Sequence, residues 1–132
     1  MATCYGASPL NSPDGFGAGE CPAVRPGAAA LDAPLDNGWL LDQVGDGFSA
    51  LWFSRNGGLV PDALAQAQTN LAQRGRPVRL AIVSRETACA RYGAEHEPAL
   101  YLFRPDQHVA GRWRGYVPGA IEAALDRAMG KP

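Results

Sequence analysis

The sequence is poor in sulfur: three cysteines in 132 residues, Cys4, Cys21 and Cys89, with no Cys-x-x-Cys pair among them. Zinc sites use close Cys or His spacings, and these are missing. An odd, scattered set is no disulfide framework either, so free thiols are the reading the spacings support. An excess of one charge is also lacking. Twelve Lys and Arg against 13 Asp and Glu leave a formal net charge of −1, which gives no electrostatic reason to expect nucleic acid or an anionic membrane. Long apolar runs are absent, and the stretch Ala99–Phe103 falls far short of the ~20 residues that span a bilayer. Residues 1–19 show neither the basic nor the apolar region of an export signal. A cytoplasmic chain is expected, and its length suits one domain.

What the chain does have begins with turn-forming residues. Residues 1–36 are dense in Gly, Pro, Ala, Ser and Asp, as in Ser12-Pro13-Asp14-Gly15 and Arg25-Pro26-Gly27. Such pairs punctuate a chain into turns and extended pieces. With few large apolar residues this arm cannot build a core, and it is expected to lie loosely across the domain or a partner. The folded domain is expected over residues 37–132, starting near Trp39.

Phe48–Phe53 is short, aromatic-rich and bounded by turn residues, and so reads as a buried strand. Pro61 suits a first helical turn. Val60, Leu64, Ala67 and Leu71 then recur at helical period, and Gly75 ends the segment. Residues 78–83 are apolar on both faces but for Arg79, the pattern of a central parallel strand. Residues 85–94, with Cys89 and Tyr92, form a weak helix or turn. Ala99–Phe103 is a strand, Arg104-Pro105-Asp106-Gln107 a turn, and residues 108–114 return antiparallel. Strict alternation puts Val109 and Trp113 on one side, with His108, Ala110, Arg112 and Arg114 on the other. Ile121, Ala124, Leu125, Ala128 and Met129 make a last helical stripe. Trp52 and Trp113 are expected in the core.

The order β-α-β-(α)-β-β-α, with Pro98 just before the third core strand, resembles the thioredoxin fold. The expected class is α/β: a central mixed four- to five-stranded sheet, helices on both faces, and an extended N-terminal arm. Several segments narrow the resemblance. Tyr5-Gly6-Ala7-Ser8-Pro9-Leu10-Asn11-Ser12-Pro13-Asp14 is similar to the segment leaving the catalytic domains of flavin-dependent aromatic hydroxylases of the phenol hydroxylase type. Arg25-Pro26-Gly27 with Asp32-Ala33-Pro34-Leu35 resembles the motif that opens their C-terminal thioredoxin-like domain. Trp39-Leu40-Leu41-Asp42 with Gly47-Phe48, and the run from Tyr101-Leu102-Phe103 through Arg104-Pro105-Asp106-Gln107 to His108-Val109-Ala110, match later parts of that domain.

The resemblance implies a non-catalytic module with a structural or assembly role. Its implied partner is a flavin-binding domain or subunit, or a second copy in a homodimer. FAD and NAD(P)H are implied for the parent family only. The family's flavin sits on a Gly-x-Gly-x-x-Gly turn in other domains, and this chain has no such turn, so no cofactor-binding residue is expected here.

Residue by residue, no catalytic or metal-binding group is expected. In thioredoxins a reactive thiolate sits at the tip of the first helix, where the helix dipole lowers its pKa. Here residues 54–61 are Ser-Arg-Asn-Gly-Gly-Leu-Val-Pro, with the loop Asn56, Gly57 and Gly58 in place of the redox motif. Pro98 matches the position that carries a cis peptide in thioredoxins, and a cis bond is expected there. His96 and His108 have no Cys or Asp spaced for a triad. Arg112 and Arg114 read as a solvated edge. Two other readings stay open: a stand-alone protein-binding or dimerisation module, and a thiol redox enzyme using Cys89.

Overall fold

The computed structural model describes residues 28–35, 38–45, 47–55, 61–75, 77–94, 97–117 and 119–128. In chain order these form β1 (Pro34–Leu35), β2 (Gly38–Trp39), a short 3-10 helix (Leu40–Gln43), β3 (Phe48–Phe53) and α1 (Asp62–Gln73). Then come β4 (Val78–Val83), α2 (Glu86–Arg91), β5 (Ala99–Phe103), β6 (Val109–Arg114) and α3 (Ala120–Ala128). The main sheet has four strands in the order β4-β3-β5-β6, and β1 and β2 form a separate two-stranded ribbon. β3 and β4 are parallel, joined through α1. β5 pairs antiparallel with both β3 and β6. An α/β fold with a mixed sheet is what the hydrophobic periods predicted.

Alternation along the strands divides the core in two. Ala50, Trp52, Leu100, Leu102 and Trp113 lie on one face, against Leu64 and Leu71 of α1 and Ile121, Ala124 and Leu125 of α3. Leu51, Phe53, Tyr101 and Phe103 lie on the other, against Cys89 of α2, Tyr92 and a strap made of residues 28–44. α1 forms where expected because Leu64, Ala67 and Leu71 share one buried stripe. The Pro61 carbonyl accepts from the Leu64 and Ala65 amides. Gly75 ends the helix at φ +76°, a conformation glycine adopts without penalty.

The sequence misplaces three features of this architecture. β4 lies at the edge, not the centre. Its two apolar faces reflect packing toward both core layers: Val78 and Leu80 on one side, Ala81 and Val83 on the other. Ile82 is left 55% exposed.

The second difference is in β6. The register runs Leu100↔Trp113, Tyr101↔Arg112 and Leu102↔Gly111, then Phe103↔Val109, leaving Ala110 as the extra residue of a bulge. A bulge breaks the period of two, so Val109 and Trp113 fall on opposite faces. The third is a matter of cover: Arg112 lies on the side opposite Trp113, as expected, but that side is packed over rather than solvated. Arg112 stands opposite Tyr101 on the strap side and is 1% exposed, not solvated.

Residues 28–35, the described end of the N-terminal arm, lie across the domain. Ala28 and Ala33 are buried. The Val109 amide donates to the Ala28 carbonyl and the Ala30 amide to that of Gln107, both at 2.8 Å. Small side chains and backbone hydrogen bonds, rather than large apolar groups, hold this piece.

Tyr92 fastens the strap. Its hydroxyl donates to the Leu31 carbonyl at 2.6 Å and accepts from the Leu31 amide at 2.8 Å. The Tyr101 hydroxyl in turn donates to the Tyr92 carbonyl at 2.7 Å. The Tyr92 ring stacks on Phe53, with centroids 4.6 Å apart, and meets Tyr101 edge-on at 4.9 Å. Further along, the Asp32 carboxylate accepts from the Ala33 and Leu41 amides. The Gln107 side chain donates to the carbonyls of Leu41 and Val44.

Candidate functional site

In parallel β-α-β units, ligands approach the carboxyl ends of the strands. Here those ends carry Ser54 after β3 and Val83 as the last residue of β4, with Cys89 beneath them. The Cys89 thiol donates to the Val83 carbonyl at 3.6 Å and is fully buried. Burial pushes its pKa up, and this outweighs the lowering effects of the Arg55 charge and the Ser54 amide. A thiol held protonated in an apolar layer is a poor nucleophile. Arg55 itself faces solvent, 3.7 Å from the Glu86 carboxylate. Alkylation of the native chain followed by peptide mapping is therefore expected to leave Cys89 unmodified until denaturant is added. Rapid native labelling of Cys89 would reopen the redox reading.

The expected loop residues Asn56, Gly57 and Gly58 lie outside the described residues, as do Cys4, Cys21 and His96. Pro98 is described, and the cis bond expected there is not found: no described peptide is cis. Trans is the intrinsically favoured isomer even before proline. The β5–β6 pairing also runs straight through this entry, the Gly115 amide donating to the Pro98 carbonyl at 3.1 Å.

His108 stands in the turn before β6, its ring nitrogen 3.1 Å from the Asp106 carbonyl and 3.4 Å from the Asp106 carboxylate. Arg104 forks onto that carboxylate through two nitrogens, at 3.1 and 2.8 Å. Partial burial raises the Asp106 pKa, but the Arg104 hydrogen bond and charge, with the His108 amide and charge, bring it below its usual value. A folded-state pKa below the unfolded one stabilises the fold above the unfolded value. That contribution is lost as pH falls through the folded value. Asp106 is half exposed, so screening limits the effect to under ~1 kcal/mol. Asp106→Asn should be slightly less stable than the parent at neutral pH, and the gap should close on acidification. A gap that persists in acid urea titrations would count against this assignment. Among the described residues no three His, Cys, Asp or Glu side chains gather to hold a metal.

The role of Tyr92 as a clamp on the strap was not singled out by sequence reasoning. A lone tyrosine after a weak helix gives no signal until the strap is seen to cross it.

No protein-family model matches the chain, and no curated protein does. Solved structures do. RebC with bound 7-carboxy-K252c is 29% identical, with a TM-score of 0.68 over 95% of this chain and 22% of its own. RebC with reduced flavin is 31% identical, with a TM-score of 0.63 over 83% of this chain and 19% of its own. The chain matches the C-terminal module of FAD-dependent aromatic hydroxylases. In fold alone, aklavinone-11 hydroxylase with FAD and aklavinone agrees, at 24% identity and a TM-score of 0.66 over 99% of this chain and 27% of its own. The chain thus spans about a fifth to a quarter of the length of the hydroxylases it matches. No described helix is long and apolar enough to cross a membrane.

Among the described residues, both faces of the main sheet are filled. Tyr92, Tyr101, Phe53 and Phe103 pack under the strap, and Trp52, Leu100, Leu102 and Leu125 pack under α1 and α3.

Proposed function

We propose that this chain is a non-catalytic, thioredoxin-like module of an FAD- and NAD(P)H-dependent aromatic-ring hydroxylase, serving structure and assembly. The observation that carries the reading is the pairing of coverage: most of this chain against a small part of each hydroxylase. Cys89 supports it from the other side, because the thiol is buried and burial pushes its pKa up. The partner on this reading is a flavin-binding domain or subunit in the cytoplasm, and the parent reaction is hydroxylation of a phenolic ring. Flavin titration tests it. The chain alone should leave FAD fluorescence unchanged, while a flavin-binding polypeptide encoded beside it should co-purify with it. Tight stoichiometric FAD binding by the chain alone would overturn the proposal.

A stand-alone binding module is the second reading, favoured by the unpaired outer side of β4. A gene with no flavin-binding neighbour would favour it.

A further inference from the structure

The outer edge of β4 carries more information than its exposure. The Ser54 amide donates to the Val83 carbonyl at 2.9 Å. In a parallel pair, a residue's N–H and C=O point to the same side, and successive residues alternate. With Val83 facing β3, Ala81 and Arg79 face it too. Val78, Leu80 and Ile82 therefore turn their backbone groups outward, away from the sheet. Val78 is partly spoken for, since its carbonyl accepts from the Gln68 side chain of α1 at 3.0 Å. Among the described residues no strand pairs with this edge. Two residues, Leu80 and Ile82, are thus left to pair with something, and Ile82 adds a side chain that is more than half exposed.

We propose that this edge pairs with the same edge of a second copy, antiparallel about a two-fold axis through Ala81. The phase of the strand is compatible with that register. Residues facing each other must have both backbone groups outward and side chains on the same sheet face. The axis at Ala81 meets both conditions, setting Leu80 opposite Ile82 of the partner subunit and Ile82 opposite Leu80 of the partner subunit. Four N–H···O bonds form, and the four aliphatic side chains make one patch on the face covered by α1 and α3. Ala81 meets its own copy as the close, non-hydrogen-bonded pair, where a small side chain is required. An axis at Leu80 would instead bring Val78 into pairing, against the bond from Gln68.

Charge does not oppose the arrangement. Arg79 falls opposite Val83 of the partner subunit, and the two Arg79 residues sit at opposite ends of the joint. The spacing along the strands puts them more than about 10 Å apart, beyond a Debye length at physiological salt. Other occupants fit less well. A long foreign strand would find only two residues to pair with before reaching Gln68. The two-fold arrangement needs no more than those two from each side, and closes on itself without propagating. A joint this short belongs to the weak class of interfaces, so a concentration-dependent dimer is expected. The proposal rests on the strand's geometry and not on the flavin partner.

Sedimentation equilibrium and amide exchange on the full chain test it. The parent chain should shift from monomer to dimer as concentration rises. The Leu80 and Ile82 amides should become protected over the same range, while the Ala81 amide, bonded to β3, stays protected throughout. Ile82→Lys should abolish the dimer by placing a charge in the apolar patch. Ile82→Pro should do the same by removing an outward donor that β3 does not use, with an unchanged circular dichroism spectrum in either variant confirming the fold. A monomer at every concentration overturns the proposal. So does a dimer that both variants retain, or protection of Leu80 and Ile82 already present in the monomer, which would mean that another segment covers the edge. None of these outcomes depends on FAD binding, so the two proposals fail separately.

Discussion

Replacing Arg112 with alanine is expected to cost about 2–5 kcal/mol, the range for truncating a large buried side chain. Native domains are stable by only about 5–15 kcal/mol, so this change alone should bring the protein toward unfolding at ambient temperature. Arg112 is 1% exposed and stands opposite Tyr101 on β6. It does not stand there unsupported, because it takes part in contacts with its surroundings. An arginine in such a place contributes twice. Its aliphatic stem fills volume, and its guanidinium makes interactions that alanine could not replace. The methionine variant separates the two. Arg112→Met restores the stem but no donor, so it should recover only part of the loss. Urea titration reads this as a fall in the midpoint at unchanged slope. An alanine variant within about 1 kcal/mol of the parent would show that Arg112 is a solvated edge residue after all.

Tyr92 is the second position with a large expected effect. Tyr92→Ala removes a fully buried ring that touches Phe53, Tyr101 and Phe103, a loss of about 3–5 kcal/mol for a core aromatic. Tyr92→Phe is the sharper test. It keeps the ring and deletes only the hydroxyl, stranding both the amide and the carbonyl of Leu31. Unsatisfied backbone groups cost roughly 1–3 kcal/mol, and here the cost should show locally. The Leu31 amide should lose its exchange protection, and protease should cut the strap sooner, while β3 and β5 stay protected. A Phe variant with parental stability and parental exchange at Leu31 would remove the clamp from the account.

The parts of this fold that follow local periodicity were readable in the sequence. β3, β5, α1 and α3 each advertise themselves through an apolar repeat, and the packing honours it: Leu64 with Leu71, and Ile121 with Leu125. What escaped depends on relations between distant residues. The bulge at Ala110 leaves no compositional mark, yet it moves Val109 to the face opposite Trp113, while Arg112 keeps its expected face and is buried because that face is covered. β4 looks central because both of its faces are apolar, and nothing in six residues says whether a neighbour lies on each side. The way the strap is held escaped because alanines and backbone groups hold it. Pro98 shows the limit of arguing by resemblance, since its position matches the thioredoxin pattern while its peptide bond does not. The candidate site was legible mainly as a missing redox motif. Burial of Cys89 beneath Ser54 and Val83 could not have been read from spacing.

The strap also bears on the order in which the fold assembles. Leu31 is fastened by a residue 61 positions later, and Leu41 by one 66 positions later. During synthesis, residues 28–44 leave the ribosome well before the tyrosine and glutamine that secure them have been made. They must wait, unsheltered, until the turn at residues 104–108 has emerged. At ribosomal speeds of about 5–20 residues per second, that wait is several seconds. Chaperones would therefore be expected to engage this segment of the nascent chain, and to release it once the β5–β6 hairpin closes.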